Sequence, residues 1–329
     1  MMEYLDILLK TGTETITFII PLLILIFTGL FIIEVLFQWG MLKRFEVISK
    51  PLTKLANLPP ACAIPLISAI GSHLAANTML QQLRNDKVIK DREVLLASIL
   101  STIFVPIKEI KFHLGIIIPT LGLYVGGFYV AVMWLGTIVL IGAVILAGRL
   151  FLPKRKWDSD GYNISKSVDF ENDTKKDKFK FLRYSLNETL KTFKKISILF
   201  LITTFIIFLL INMGIFDIII TFIEPSANVI GIPANAIPAL TAYIASPLVG
   251  YPMIGALIEN NEISNDEAII VLLFGSMFML PVIYLKFYFP QWVSVFGLKL
   301  GLIRGLISMS LIMLTRGIIL IVFLIFFKT

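Results

Sequence analysis

Long apolar runs, separated by short polar turns, are the main pattern of this chain. A helix needs about 20 residues to cross a hydrocarbon core of about 30 Å. The run over 112–152 is long enough for two crossings, with a turn near Gly126 and Gly127. Other runs of sufficient length lie near 16–38, 196–216 and 303–327. These runs predict helices that span a membrane.

Four shorter apolar segments predict additional helices between the long ones. They lie near 61–83, 93–107, 236–257 and 267–285. Short helices of this kind either cross the membrane or enter and leave it on the same side. Counted as crossings, they predict an all-α, polytopic transmembrane helical bundle of about nine crossings.

The stretch from Pro60 to Phe112 is repeated, with small shifts of register, from Pro233 to Phe287. Each copy contains a proline followed five residues later by a Lys-Phe pair, inside otherwise apolar sequence. Self-similarity of this kind indicates a duplicated structural unit. The matched pairs are Ala61 with Ala234, Ala63 with Ala236, Ile64 with Ile237, Pro65 with Pro238, Ala69 with Ala242, Asp91 with Asp266, Pro106 with Pro281, Lys111 with Lys286 and Phe112 with Phe287.

Composition and charge support a membrane protein. Of 329 residues, 57% are hydrophobic and 16% charged, against ~25% charged in soluble domains. The segment 153–195 holds 12 Lys and Arg against 7 Asp and Glu. The positive-inside rule therefore makes this segment a cytoplasmic linker. The basic residues of this segment account for most of the net charge of +7, which therefore does not imply nucleic acid as a partner.

The same rule predicts that the two copies are inverted relative to each other. The basic region 43–54 precedes the first copy and is expected inside the cell. The loop 224–234 precedes the second copy, has no Lys or Arg, and is expected outside. We therefore expect a multi-pass protein of the plasma membrane. Its parts are a first transmembrane repeat over 1–152 with its core at 60–112, the charged linker 153–195, and a second transmembrane repeat over 196–329 with its core at 233–287.

The matched lysines Lys111 and Lys286 are the first candidates for a substrate site, because ionisable residues in membrane segments are costly and are often functional. The alternative is that both lysines extend to the membrane interface. In the first copy, Lys108, Glu109 and His113 surround Lys111 and are expected to give selectivity to that half. Arg304 and Arg316, spaced along the last helix, are expected to be interfacial or paired.

Small and polar residues at the short helices form a second candidate set. The segment from Ser246 through Tyr251 to Pro252 contains two prolines and is hard to build as an unbroken helix. His73 and Asn77 lie near the matching place in the first copy. We predict that broken turns here present amides and hydroxyls to a solute. The alternative is that these residues only allow close helix packing.

Four features follow one another in this chain: a proline-rich entry, a short helix with Gly, Ser and Asn, the charged turn LRNDKVIKDRE, and an apolar run to a proline and a polar cluster. This order of features resembles the Gate or nucleoside-recognition domain. That domain occurs in concentrative nucleoside transporters, in the membrane part of ferrous iron transporter B, and in spore maturation proteins A and B. The resemblance covers 60–112 and 233–287. It implies membrane transport by two inverted Gate-type repeats and does not transfer a substrate.

The predicted function is a permease that moves a small polar or anionic solute through a site between the repeats. A ferrous or divalent metal permease, a nucleoside permease, and a non-transporting scaffold or export-complex subunit remain alternatives; the metal ligands are unknown, with Cys62 as the single cysteine. No GxxxxGK, HExxH or GxSxG motif occurs, so we expect no enzyme and no cofactor. The expected partners are a small-molecule solute, membrane lipids and, as open possibilities, a coupling proton or sodium ion and a homo-oligomer.

Overall fold

The computed structural model describes residues 2–38, 46–71, 73–154, 178–214, 225, 227 and 229–327. Every regular element in these ranges is a helix, and no strand occurs among them. The all-α prediction is therefore confirmed for the described part of the chain. Most of the charged linker, 155–177, lies outside it.

The first half begins with α1 (Met2–Gln38) and α2 (Glu46–Leu55). The remaining elements are a 3-10 turn (Pro60–Cys62), α3 (Ala63–Gly71), α4 (His73–Asn85), α5 (Asp91–Leu100), a 3-10 turn (Ser101–Phe104), α6 (Val105–Phe112), a π-helical segment π1 (His113–Ile117) and α7 (Ile118–Phe151).

The second half begins with α8 (Lys178–Asn212), which runs through the boundary expected at residue 195. The remaining elements are a 3-10 turn (Ala234–Ala236), α9 (Ile237–Ala245), α10 (Pro247–Glu259), α11 (Asn265–Ile283), the π-helical segment π2 (Tyr284–Tyr288), α12 (Phe289–Phe296) and α13 (Leu298–Phe327). The order from the 3-10 turn onward is thus nearly the same in both halves.

The polar turns before α5 and α11 have the same backbone geometry. Lys87 and Asn261 have positive φ values of 58° and 57° at equivalent places. In both halves, the third residue of the next helix is a glutamate that caps the start of that helix. Glu93 Oε2 accepts a hydrogen bond of 2.7 Å from the Lys90 amide. Glu267 Oε2 accepts one of 2.7 Å from the Ser264 amide. The caps align Asp91 with Asn265, one residue from the sequence alignment with Asp266.

A glycine breaks the helical path at equivalent places in the two halves. Gly122 has φ 77° and ψ 166°, and Gly297 has φ 81° and ψ 167°, a conformation that only glycine adopts readily. The turn expected at Gly126 and Gly127 is wrong, because the helix is continuous there. A Cβ at Gly126 would lie 3.0 Å from the carbonyl oxygen of Ile117, so this glycine allows close packing instead.

Helices α5 and α11 lie inside the bundle, whereas α7 and α13 expose apolar side chains. By length and composition, three described stretches are apolar enough to cross a membrane: Asp91–Phe151, Asn265–Ile283 and Leu298–Phe326. Leu146 on α7 and Ile318 on α13 are 63% and 61% exposed. Large apolar side chains on the outside of long helices are compatible with a membrane protein.

The short helices are broken near the places that the sequence indicated. Ser246 has φ −153° and ψ 108° and separates α9 from α10, so the break predicted in this segment is confirmed. Pro252, in contrast, lies inside α10. In the first half, α3 ends at Gly71 and α4 begins at His73.

Candidate functional site

A cavity of about 480 Å³ lies between the two halves of the bundle. Its volume is within the range of small-molecule sites, which is roughly 300–1,000 Å³. Its walls come from α4, the 3-10 turn Ser101–Phe104, α6, π1 and α7 of the first half and from α11, π2, α12 and α13 of the second. The polar and aromatic side chains in these walls are His73, Asn77, Thr102, Glu109, His113, Thr137, Tyr284, Tyr288, Gln291, Trp292, Arg304 and Arg316.

Arg304 is held rigidly at one wall of the cavity and is only 2% exposed. Its guanidinium carbon lies 3.5 Å from the centroid of the Trp292 ring. Its Nη2 donates a hydrogen bond of 3.1 Å to the carbonyl oxygen of Ser98. Nε and Nη1 have no hydrogen-bond partner among the described residues. A buried cation with unused donors is costly unless a ligand or water satisfies it.

Arg316 is a second buried cation on the same helix and is 4% exposed. Its Nε and Nη1 also have no hydrogen-bond partner within the described part of the chain. The guanidinium is within electrostatic interaction range of Tyr129, Tyr243 and Tyr251 as well as of Glu109 and Tyr284. Arg304 and Arg316 were expected to be interfacial or paired. The interfacial alternative is wrong, because both side chains are enclosed by the bundle.

Glu109 and His113 lie one helical turn apart and both line the cavity. His113 Nε2 is 3.8 Å from Glu109 Oε2, and neither ring nitrogen of His113 has a hydrogen-bond partner in the described ranges. Asn77 on α4 is 1% exposed. The predicted residues His73, Asn77, Glu109 and His113 are therefore brought together in one cavity.

Of the two lysines of the repeated Lys-Phe pair, Lys111 is described by the structure and is not among the residues that line this cavity. Lys111 is half-buried and lies two residues from both Glu109 and His113. Two residues correspond to about 200° around a helix, so Lys111 lies on the opposite face from these two side chains. The side chains of Lys108 and Lys286 lie outside what the structure describes. Between the cavity residues Tyr284 and Tyr288, Leu285 and Phe287 are 67% and 59% exposed.

Tyr251 and Ser246 are likewise not among the residues that line the cavity. Tyr251 belongs to a buried tyrosine cluster, which we define as Tyr129, Tyr243 and Tyr251, each 2% exposed or less. The ring centroids of Tyr243 and Tyr251 are 5.3 Å apart, and the hydroxyls of Tyr129 and Tyr243 are hydrogen-bonded to each other. Ser246 follows the last residue of α9 and lies between Tyr243 and Tyr251 in the chain. It marks the break between α9 and α10.

The tyrosine cluster occupies the place that corresponds to the cavity in the other half. When Gly122 is aligned with Gly297, Tyr129 falls on Arg304. When α4 is aligned with α10, Asn77 falls on Tyr251. Tyr129 and Tyr251 are in ring contact, with centroids 6.0 Å apart, whereas Arg304 and Asn77 both line the cavity. One of the two equivalent places is filled and the other is open.

Sequence reasoning missed Arg304, Arg316 and the aromatic residues Tyr284, Tyr288 and Trp292 as parts of the site. Extending the repeat beyond Phe112 could have found the first of these, since Gly122, Gly126 and Gly142 match Gly297, Gly301 and Gly317. For metal binding, no group of three or more His, Cys, Asp or Glu side chains comes together in the described residues.

Three proteins of Methanocaldococcus jannaschii, each described as an uncharacterized protein, are similar to this chain. The first is 26% identical over 303 residues, which cover 91% of this chain and 96% of the relative. The others are 24% identical over 322 residues, covering 98% and 99%, and 24% identical over 306 residues, covering 92% and 92%. No protein-family model and no solved structure matches the chain. The similarity extends over both halves and carries no functional information.

Proposed function

We propose that this protein is a membrane permease for a small anionic solute, which binds in the cavity between two inverted halves. The carrying observation is that Arg304 and Arg316 line one cavity, are both at least nine-tenths buried, and have unused hydrogen-bond donors. Ionisable residues inside membrane bundles commonly mark substrate pathways. A pair of guanidinium groups favours an anion over a cation or a metal ion.

The position of Arg316 along its helix supports a site within the membrane. Helix α13 runs from Leu298 to Phe327. With a rise of about 1.5 Å per residue, Arg316 lies only about 5 Å along the axis from the centre of this helix. Solute sites of transporters built from inverted repeats lie near the bilayer midplane.

Reciprocal packing supports a two-fold relation between the halves. Helix α5 packs against α7 of its own half and against α13 of the other half. Helix α11 packs correspondingly against α13 of its own half and against α7 of the other half. Exchange of equivalent contacts is what a two-fold axis produces. In this arrangement, the tyrosine cluster closes the path at the place equivalent to the open cavity.

Uptake into proteoliposomes tests the proposal. The protein would be offered radiolabelled monocarboxylates, dicarboxylates, phosphate and nucleosides, and compared with the variants Arg316→Gln and Arg149→Gln. Arg149 is an exposed residue at the end of α7, where its Nε donates to the Leu55 carbonyl at 3.2 Å. We expect uptake of an anion that is lost in Arg316→Gln and retained in Arg149→Gln. If none of the solutes is taken up, or if Arg316→Gln transports at the wild-type rate, the proposal fails.

The proposed orientation places the linker 153–195 in the cytoplasm. A Ser159→Cys variant tests this orientation with a maleimide that does not cross membranes. Labelling is expected in inside-out vesicles and not in intact cells. Labelling of intact cells would reverse the orientation without affecting the assignment of the cavity.

A further inference from the structure

We propose that the solute is a small organic monoanion, a carboxylate carried on an apolar or aromatic body. This inference rests on the proposed function, because it names the chemical class that the same cavity binds. It excludes inorganic phosphate, dicarboxylates and neutral solutes as the preferred ligands. Charge, hydrogen-bond donors and lining chemistry each support it.

Among the described residues that line the cavity, the positive charges outnumber the negative ones by one. The charged residues are Arg304, Arg316 and Glu109, counted with an ionised Glu109 and with neutral His73 and His113. Two guanidinium groups and one carboxylate give a net charge of about +1 in a place where unpaired charge is costly. A single negative charge neutralises the site, and a second would be in excess.

The unused donors of Arg304 are held in place by its neighbours. Trp292 and the Ser98 carbonyl fix the Arg304 guanidinium, so its free Nε and Nη1 groups point in directions set by the protein. Tyr288 stacks on Trp292 with centroids 5.3 Å apart and an interplanar angle of 13°, which fixes the ring in turn. A planar, preorganised guanidinium binds carboxylates through charge-assisted hydrogen bonds, which are among the strongest in proteins.

Nine of the lining side chains are apolar, and they favour an apolar body on the anion. A volume of about 480 Å³ corresponds to about 16 water-sized groups at roughly 30 Å³ each. A small inorganic ion would leave most of this apolar surface without contacts. The apolar lining residues are Leu74, Val105, Pro106, Met133, Leu140, Met279, Leu280, Ile283 and Ile312.

Binding to the purified, full-length protein in detergent micelles tests the inference. Calorimetry and thermal unfolding would compare benzoate and hexanoate with neutral benzamide, with succinate and with inorganic phosphate. We expect benzoate or hexanoate to bind at least about tenfold more tightly than the other three, because only they match both the charge and the apolar wall. If benzamide binds as tightly as benzoate, or if phosphate or succinate binds most tightly, the inference is overturned.

Variants of the two arginines locate the binding. Arg304→Gln and Arg316→Gln are expected to weaken benzoate binding by at least about tenfold, since each loses a charge-assisted hydrogen bond. Arg149→Gln is the matched control and should bind as the wild type does. Because loss of a buried arginine could prevent folding, Arg316→Lys is also needed. It keeps the charge but not the planar fork, and should bind benzoate more weakly while still preferring it to benzamide. Full benzoate affinity in a folded Arg316→Gln protein would contradict the assignment.

The charge argument has its own test in Glu109→Gln. Removing this carboxylate raises the net charge of the lining by one, so the preference for benzoate over succinate should fall by about tenfold or more. An unchanged preference would show that Glu109 does not set the charge of the ligand.

The inference and the proposed function fail separately. If nucleosides bind in an arginine-dependent manner and carboxylates do not, the ligand class is wrong and the permease proposal stands. If carboxylates bind but are never transported, the permease proposal is wrong and the site stands.

Discussion

Exchanging the residues at one pair of equivalent positions should separate ligand binding from stability. Asn77 on α4 lines the open cavity, and its counterpart Tyr251 on α10 is packed in the tyrosine cluster. In Asn77→Tyr, the new ring enters existing space of about 480 Å³, so we expect a stability cost below about 1 kcal/mol. The ring would take the place of the ligand, and benzoate binding should become undetectable.

The reverse change, Tyr251→Asn, should have the opposite outcome. Tyr251 is 2% exposed, and removing a buried aromatic ring costs about 3–5 kcal/mol. Some of this cost could be recovered if water enters the polar space left between Tyr129 and Tyr243, so we expect about 3 kcal/mol. Benzoate binding should be weakened far less than in Asn77→Tyr, because Tyr251 does not line the cavity and acts on it only through its electrostatic interaction with Arg316.

The assay is benzoate titration combined with denaturant unfolding of the detergent-solubilised protein. Thr78→Tyr is the control, because Thr78 is the next residue on α4 and is exposed. It should change neither quantity. Two results would refute the reasoning: a large loss of stability in Asn77→Tyr with benzoate binding retained, or a stable Tyr251→Asn protein that no longer binds. Either result would mean that the two places are not equivalent in the way that the alignment and the packing indicate.

Three further predictions test the packing and the placement of the lysines. In the buried Tyr129–Tyr243 pair, Tyr129→Phe and Tyr243→Phe should each cost about 1–3 kcal/mol in unfolding free energy, because each leaves the other hydroxyl without its partner. The double variant should cost less than the sum, because neither hydroxyl of the pair is then left buried and unpaired. Gly301→Ala should destabilise the protein by about 1–3 kcal/mol, because its Cβ would lie 2.7 Å from the Val293 amide nitrogen. The control Gly127→Ala should be tolerated, because a Cβ there has no atom within 4 Å. Equal unfolding midpoints for the two variants would contradict the close packing at Gly301. Lys111→Ala should change benzoate affinity by less than about twofold, because Lys111 lies on the helix face opposite Glu109, and a loss of binding as large as that of Arg316→Gln would restore the lysine hypothesis.

Local sequence patterns were sufficient to predict most helices of the fold. Apolar runs of known length indicated α11 and α13, and the two prolines around Ser246 indicated the break between α9 and α10. The position of a helix break was harder to predict where several glycines lie close together in the chain. Gly122, Gly126 and Gly127 are close together in an apolar run, and any of them could break a helix. Packing decides among them, because Gly126 is needed for contact with Ile117 while Gly122 is free to adopt φ 77°.

The candidate site was only half predictable for a similar reason. His73, Asn77, Glu109 and His113 stood out as polar residues in apolar segments and do meet in the cavity. The repeated lysines also stood out, yet helix geometry places Lys111 on a different face from Glu109. Sequence marks a residue as unusual without giving the direction of its side chain. Arg304 and Arg316 had the same costly character and were expected to be interfacial or paired, because a long cationic side chain has two ways to avoid lipid.

By itself, the sequence determined an all-helical, strongly apolar chain with an internal duplication, because helix length, hydropathy and repeated motifs are properties of neighbouring residues. Only the tertiary structure decided which polar groups meet. His73 and Arg316 are remote in the chain and lie on different helices, yet they line one cavity. Their meeting depends on how the two halves pack, and the same packing fills the equivalent place with Tyr129, Tyr243 and Tyr251. The duplication therefore predicted two equivalent places, and side-chain volume decided that one of them is open.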